Sequence, residues 1–429
     1  QAQTTLGTIT GRVLDPSGAS VSTANVTAAN SATGVPYKTT TNAAGNYVLQ
    51  QLAVGEYEVT VEAPGFRRYV RKGVPLAVAQ TVTLDVSLEV GQVDQTVEVT
   101  SAVGELQTST SDLGTTIDRG KLLELPLFVG GRSRDLEGFI FLAPGVTGDT
   151  TNTQISGSPS RSKEVLVDGI ASTGIESGGV IPGNTRPSVE TIGEFRLLRA
   201  NFNAEYGRTG GGIQVFTTRS GTNAYHGAGF DFLRNDALDA RGFFLSSVAV
   251  NRQNEFGASF GGPLTIPKVY DGKNRTFFFV VYGGYRYRQG APNTQVSLIP
   301  TDYRAGNFAN AGATIYDPAT TQTVNGAITR TAFPGNAIPT SRFSSVSKAV
   351  LAALPTPLNN SLFNNFVSVG RGYVNEDQIN VKIDHSFNDR HRLNGYFYKD
   401  VLEQLDPIGG GSERTAIPGG GTTSATNRN

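Results

Sequence analysis

The sequence predicts a mainly β protein in three units: a small β-sandwich, an α+β middle unit, and part of an antiparallel β-barrel whose strands would cross a membrane. Three observations predict it. Short apolar segments separated by turn residues recur across residues 8–89, and from Tyr225 onward they give way to segments of about ten residues with alternating character. No run approaches the ~18 apolar residues of a membrane helix. Gly supplies 52 of 429 residues, above its average usage of ~7%, which with abundant Thr, Val, Asn and Ser favours strands and turns over helices.

The first unit, residues 1–89, reads as seven strands at 8–14, 25–30, 37–41, 47–52, 55–63, 66–70 and 81–88. Turn formers separate them, among them Asp15-Pro16-Ser17-Gly18, Asn42-Ala43-Ala44-Gly45 and Pro64-Gly65. Along the fifth strand Tyr57, Val59 and Val61 alternate with Glu56, Glu58, Thr60 and Glu62, so one face is expected in the core and the other in water.

Residues 90–112 form a polar linker rich in Gln, Thr, Ser and Asp, with one extended patch at Gln95, Thr96, Val97, Glu98, Val99, Thr100 and Ser101. In the middle unit, 113–220, short helices are predicted at 119–124, ended by Pro126, and at 134–142, ended by Pro144. Strands follow at 164–167, 194–200 and 212–218.

Five barrel strands are predicted in residues 221–429, at 224–233, 254–264, 275–288, 376–387 and 392–402. In the fourth, Ile379, Val381, Ile383 and His385 alternate with Asn380, Lys382, Asp384 and Ser386, giving one face to lipid and the other to the interior. The connections alternate in length, as outer-membrane barrels alternate tight periplasmic turns with long external loops. The text after 402 is Gly-rich and predicts no further strand. An odd, small strand number does not close a bacterial barrel, so the expectation is an incomplete barrel in an N-terminal fragment. Met is absent even at position 1, and Gln1-Ala2-Gln3 suits residues just after a signal-peptidase site, which predicts export.

Lys+Arg and Asp+Glu both total 36, leaving no net field to draw the chain onto nucleic acid, and no nucleic-acid partner is expected. Cys is absent, which removes disulfides, thiolate metal sites and Cys nucleophiles. His226, His385 and His391 are scattered without carboxylate spacing, so no metal, cofactor or catalytic site is expected, and the chain is read as a non-enzyme.

The stretch Glu194-Phe195-Arg196-Leu197-Leu198-Arg199, followed by Asn203-Ala204-Glu205-Tyr206-Gly207-Arg208, Gly210-Gly211-Gly212-Ile213-Gln214-Val215 and Thr218-Arg219-Ser220-Gly221, resembles the end of the plug domain of TonB-dependent outer-membrane receptors. His226-Gly227, Phe232-Leu233-Arg234-Asn235, Gly261-Gly262-Pro263 and Lys273-Asn274-Arg275-Thr276-Phe277-Phe278-Phe279 are similar to the Oar-like branch of those receptors. Upstream, Thr8-Ile9-Thr10-Gly11-Arg12-Val13 with Asp15, Gly18 and Gly45-Asn46-Tyr47 resembles the carboxypeptidase-regulatory-like module, a transthyretin-like sandwich. The resemblance implies an outer-membrane protein with its N-terminal domain in the periplasm, a plug at 113–220, and barrel strands in contact with outer-membrane lipid.

It also implies site residues. Gln95 to Ser101 looks like a TonB box, which pairs as an added strand with the energy-transducing TonB protein; the other reading is a strand docked on the sandwich. Glu194, Arg199 and Arg208 lie where plugs of the family contact the barrel wall. Tyr303, Phe308, Tyr316 and Phe333, in the long connection, are the ligand-contact candidates. Val167-Asp168-Gly169-Ile170 reads as a strand and turn with no chemistry assigned to Asp168. Tyr285, Tyr287, Tyr396, Phe397 and Tyr398 read as barrel-wall and girdle residues. The implied function is TonB-energised movement of a solute, whether siderophore, glycan or peptide. Rival readings are a surface adhesin or carbohydrate-binding scaffold on the same architecture, or an export role.

Overall fold

Period-two burial organises the first unit, as the sequence leads one to expect. A computed structural model describes residues 5–91, 96–99, 112–117, 119–124, 136–149, 152–173, 187–207, 209–241, 248, 250–290, 294–368, 371–389, 391–406 and 422–428. The sandwich strands are β1 (Gly7–Leu14), β2 (Asn25–Asn30), β3 (Pro36–Thr40), β4 (Asn46–Leu52), β5 (Gly55–Glu62), β6 (Arg68–Leu76), β7 (Thr81–Thr83) and β8 (Val86–Ser87). A further strand, β9 (Thr96–Val99), comes from the linker. One sheet runs β4-β1-β7 with β8 also on β1, and the other runs β3-β2-β5-β6-β9. Tyr57, Val59 and Val61 are fully buried between the sheets with Tyr47, Leu52 and Ile9. The two tyrosine hydroxyls are not stranded there, since Tyr47 donates to Leu84 O (2.7 Å) and Tyr57 to Ala53 O (2.6 Å).

The middle unit holds β10 (Leu113–Ile117), α1 (Arg119–Glu124), β11 (Val146–Thr147), β12 (Gln154–Ile155), β13 (Glu164–Val167), β14 (Ile170–Ala171), β15 (Ile192–Ala200) and β16 (Ile213–Thr218). Five of these strands make one sheet in the order β10-β15-β16-β13-β14, with β13 and β16 parallel. The helix predicted at 134–142 is instead a 3-10 helix, Leu136–Leu142. Gly138 and the β-branched or aromatic residues Phe139, Ile140 and Phe141 weaken an α-helix there, and burial of Leu136, Phe139 and Ile140 holds the tighter turn in place.

The third unit is a meander of β17 (His226–Arg234), β18 (Asn251–Pro263), β19 (Thr276–Gly290), β24 (Arg371–Ser386), β25 (Arg392–Asp406) and β26 (Thr422–Arg428), each antiparallel to the next. β19 and β24 pair without interruption from Thr276↔His385 to Gly290↔Arg371. The predicted count of five is corrected to six: β26 pairs with β25 from Asp400↔Arg428 to Asp406↔Thr422. Its sequence, Thr-Thr-Ser-Ala-Thr-Asn-Arg, has no apolar alternation, so the ladder, not the side-chain pattern, defines it. Along β24 the expected alternation holds, with Ile379 and Ile383 exposed on the outside and Asn380 and Lys382 buried on the inside.

Along β19 the inside is apolar where it meets the other units. Phe277, Phe279 and Val281 are buried, and Phe277 belongs to the core of the sandwich itself. Tyr285 is buried on the inward side, not placed in a girdle, whereas Phe397 is exposed on the outside.

The long connection between β19 and β24 is folded. It contains β20 (Thr294–Val296), α2 (Thr301–Arg304), β21 (Gln322–Val324), β22 (Ala327–Thr329), α3 (Ser345–Ala353) and β23 (Phe366–Ser368), with β20 paired to β23. Fully buried Asn365 ties its two ends, donating to Leu298 O (2.9 Å) and Ser361 O (2.7 Å) and accepting from Leu298 N (2.7 Å).

Gly11 accounts for the Thr10-Gly11-Arg12 motif. A Cβ built on it would lie 1.9 Å from Leu84 O, because β1 runs against the 81–88 segment at backbone distance. Gly11→Ala is therefore expected to destabilise the sandwich by about 1–3 kcal/mol through overpacking. A denaturant titration of the chain reads this as a lower midpoint for the sandwich with an unchanged slope.

Candidate functional site

The contact between the middle unit and the barrel wall is built around one cation. Lys382, inward on β24, donates to Thr218 Oγ1 (2.9 Å) and Thr218 O (3.2 Å) and lies 3.3 Å from Asp168 Oδ2. Asp168 is presented by the tight β13–β14 hairpin, where it takes φ 48° and Gly169 takes φ 81°. Its Oδ1 accepts from Thr218 N (2.8 Å) and its Oδ2 accepts from Thr218 Oγ1. The threonine hydroxyl thus donates to the carboxylate and accepts from the ammonium, leaving each charge with a partner.

One residue further on, Arg219 places its guanidinium 4.3 Å from the centre of the Phe279 ring on β19. Burial pushes its pKa down to about 10, with Arg119 adding to the shift and Glu190 opposing it; it stays charged at neutral pH. Arg119 in turn pairs with buried Glu190 at 3.0 Å. Farther along, a cleft lies between Ser188 and Val189 of the middle unit and Glu255, Tyr285, Glu376 and Gln378 of the wall.

Two of the three charged residues predicted to reach the wall are described, and both are held elsewhere. Glu194 accepts from Val78 N (2.6 Å), a contact with the sandwich. Arg199 donates to Pro144 O (2.8 Å) inside its own unit. Arg208 lies outside the described residues. The reason is topological: Glu194 and Arg199 sit on β15, an inner strand of its sheet, whereas the wall is met by the β13–β14 turn and the end of β16. Asp168, read from sequence as a turn residue alone, is the carboxylate that serves. The available signal was the lone lysine on the inward face of a barrel strand, which demands a counter-charge.

The segment likened to a TonB box is docked over Thr96–Val99. It adds to the sandwich as β9, parallel to β6, with Arg68↔Thr96, Tyr69↔Val97, Val70↔Glu98 and Arg71↔Val99. Gln95, Thr100 and Ser101 lie outside the described residues. β9 ends its sheet, so among the described strands its second edge carries no neighbour. Of the ligand-contact candidates, Tyr303 and Phe308 pack on each other with ring centres 4.9 Å apart, and Arg342 covers Phe333 at 5.8 Å. The same Arg342 pairs with Asp317 (2.8 Å) and holds that carboxyl below its usual range. Tyr316 alone of the four is exposed.

Residues 8–89 match the carboxypeptidase regulatory-like domain, and residues 217–429 match the outer membrane beta barrel domain. The TonB-dependent transporter Oar of Myxococcus xanthus is 29% identical over 243 residues, covering 54% of this chain and 22% of that protein. Over that stretch the chain is similar to this TonB-dependent transporter. Its barrel strands place it in the bacterial outer membrane, and the relative is named as a transporter.

Among solved structures, the siderophore receptor PirA from Acinetobacter baumannii aligns at 14% identity with a TM-score of 0.37, over 68% of this chain and 32% of that one. The ferric enterobactin receptor PfeA from Pseudomonas aeruginosa aligns at 13% identity and the same TM-score, over 69% and 34%. The match thus spans about a fifth of the curated relative and about a third of each receptor.

Removing the Lys382 ammonium strands Asp168 at the interface. Lys382→Ala is expected to weaken seating of the middle unit by about 3 kcal/mol, the low end for a broken buried pair because neither side chain is fully shielded. Asp168→Asn combined with Lys382→Met should recover part of that loss. Pulse proteolysis across a urea series, run on both single variants and the double, measures the coupling.

Proposed function

We propose that the chain carries the sandwich, plug and first barrel strands of a TonB-dependent transporter that moves a small solute across the outer membrane. The observation that carries this reading is the Lys382–Asp168–Thr218 contact. It joins the plug sheet to the inner barrel face by ionic hydrogen bonds that can be exchanged for water, and the apolar clusters of the plug include no barrel residue among those described. A plug so held blocks the lumen at rest and can shift under a modest pull.

The pull is delivered through TonB, at Gln95 to Ser101. Strand addition needs an extended segment with a free backbone edge, and β9 has one. The sandwich lies on the periplasmic side, because it touches the short β24–β25 turn, where Lys38 pairs with Asp389, and the segment entering β17, where Asn223 N donates to Ala32 O (3.0 Å). The long folded connection then faces outward, where it meets solute.

A peptide spanning 91–112 is expected to bind the periplasmic domain of the cognate TonB, and Val97→Pro, which removes a backbone donor, should weaken it at least tenfold. Isothermal titration measures both. Equal binding by the two peptides argues against strand addition, and binding by neither favours a surface scaffold without energised transport.

A further inference from the structure

Two grips hold the sandwich, and they differ in kind. Toward the plug, the β6–β7 turn inserts fully buried Val78 into an apolar cluster with Leu166, Leu198, Tyr206, Ile213 and Val215. Arg196 of β15, itself 4% exposed, donates to Val78 O (3.1 Å) and Ala79 O (2.7 Å) and pairs with Asp112 at 2.5 Å. Glu194 takes the Val78 N–H. Val78 N, Val78 O and Ala79 O each have a charged partner, and the contact is largely shielded from solvent.

Toward the barrel rim, the polar contacts are open. Lys38 and Asp389 pair at 2.7 Å with side chains 57% and 48% exposed. Arg392 lies 3.7 Å above the Tyr37 ring and donates to Pro36 O (2.7 Å). Phe277 adds one apolar contact. Exposed ion pairs are weak, and a buried charge network breaks only at high cost, so under load the rim gives way before the plug grip does.

Chain lengths decide where a load arrives first. The last backbone tie of the sandwich before β9 is Gly91 N to Gly65 O (3.1 Å), which leaves the four residues 92–95 between that tie and β9. Twelve residues, 100–111, separate β9 from Asp112 at the start of the plug. At the full extension of ~3.5 Å per residue, the first tether is taut at about 14 Å and the second only at about 42 Å.

Resting on the reading of residues 95–101 as the TonB site, we infer that the sandwich is the handle of the plug. Tension on β9 enters the sandwich through its ladder with β6, and the Val78–Arg196–Glu194 grip passes that load to β15. The sandwich leaves the rim together with the plug.

These 429 residues contain no cysteine, so two introduced here are the only thiols in this part of the receptor. Lys38→Cys with Asp389→Cys, both exposed, fixes the sandwich to the rim when bridged by a bis-methanethiosulfonate and frees it again on reduction. The receptor is held in a supported bilayer and pulled by a probe tip bearing the periplasmic domain of TonB. In the reduced state, plug extension of ~3.5 Å per released residue is expected. In the bridged state that event should be lost, at least tenfold rarer, with tip engagement unchanged. Equal extension in both states overturns the inference, since the plug is then drawn through the linker alone. Engagement without extension in either state overturns it as well. Failure of the tip to engage at all sinks the TonB reading, and the inference with it.

Discussion

A lysine on the inner face of a membrane strand fixes how this protein is put together. Lys382 is set between Ile379 and Ile383 by the period of β24, so the alternation that turns those isoleucines outward also turns the ammonium inward. A cation held there calls for a counter-charge, and one of the carboxylates that answer it comes from another unit. Asp168 does so because a two-residue hairpin lifts it from the sheet edge, and Thr218 closes the triangle. The orientation of the plug sheet against the wall follows from that triangle, with Arg219 over Phe279 beside it.

The sandwich is not a bead on a string. It shares Phe277 with the barrel and gives Val78 to the plug, so each of its neighbours contributes to, or receives, a core residue. Arg196 has the widest reach of any side chain at this junction, touching the β6–β7 turn and the exit of the linker at Asp112 together. The sandwich is therefore held by contacts of graded exposure, shielded toward the plug and open toward the rim.

Much of this was legible in the sequence. The first five sandwich strands and five barrel strands follow from period-two alternation and turn residues, and α1 from the Pro126 after it, because those are local properties of the chain. The strand expected at 66–70 instead runs on as Arg68–Leu76, and that at 81–88 divides into β7 and β8. What was not legible is non-local. Glu194 and Arg199 carry the charge expected of wall contacts, but sheet order places their strand inside. Asp168 looked like a turn former, and is one; its second role exists only because β24, more than two hundred residues away, brings Lys382 to it. The 3-10 geometry at Leu136–Leu142 and the strand at Thr422–Arg428 depend on packing and on a neighbouring ladder, not on the residues themselves. The docking of Thr96–Val99 on β6 was one of two readings that period two allowed, and backbone pairing, not side-chain pattern, distinguishes them.

The central claim is that the plug is seated on the wall at rest and leaves it when the cell is energised. Thr218, 3% exposed beside Lys382, is the position to watch. With Thr218→Cys as the single cysteine of these 429 residues, and any elsewhere in the receptor replaced, labelling by a membrane-impermeant maleimide is measured in energised cells and after collapse of the proton-motive force. Labelling that is slow in de-energised cells and several-fold faster in energised ones is the expected result; equal rates in the two would contradict the account.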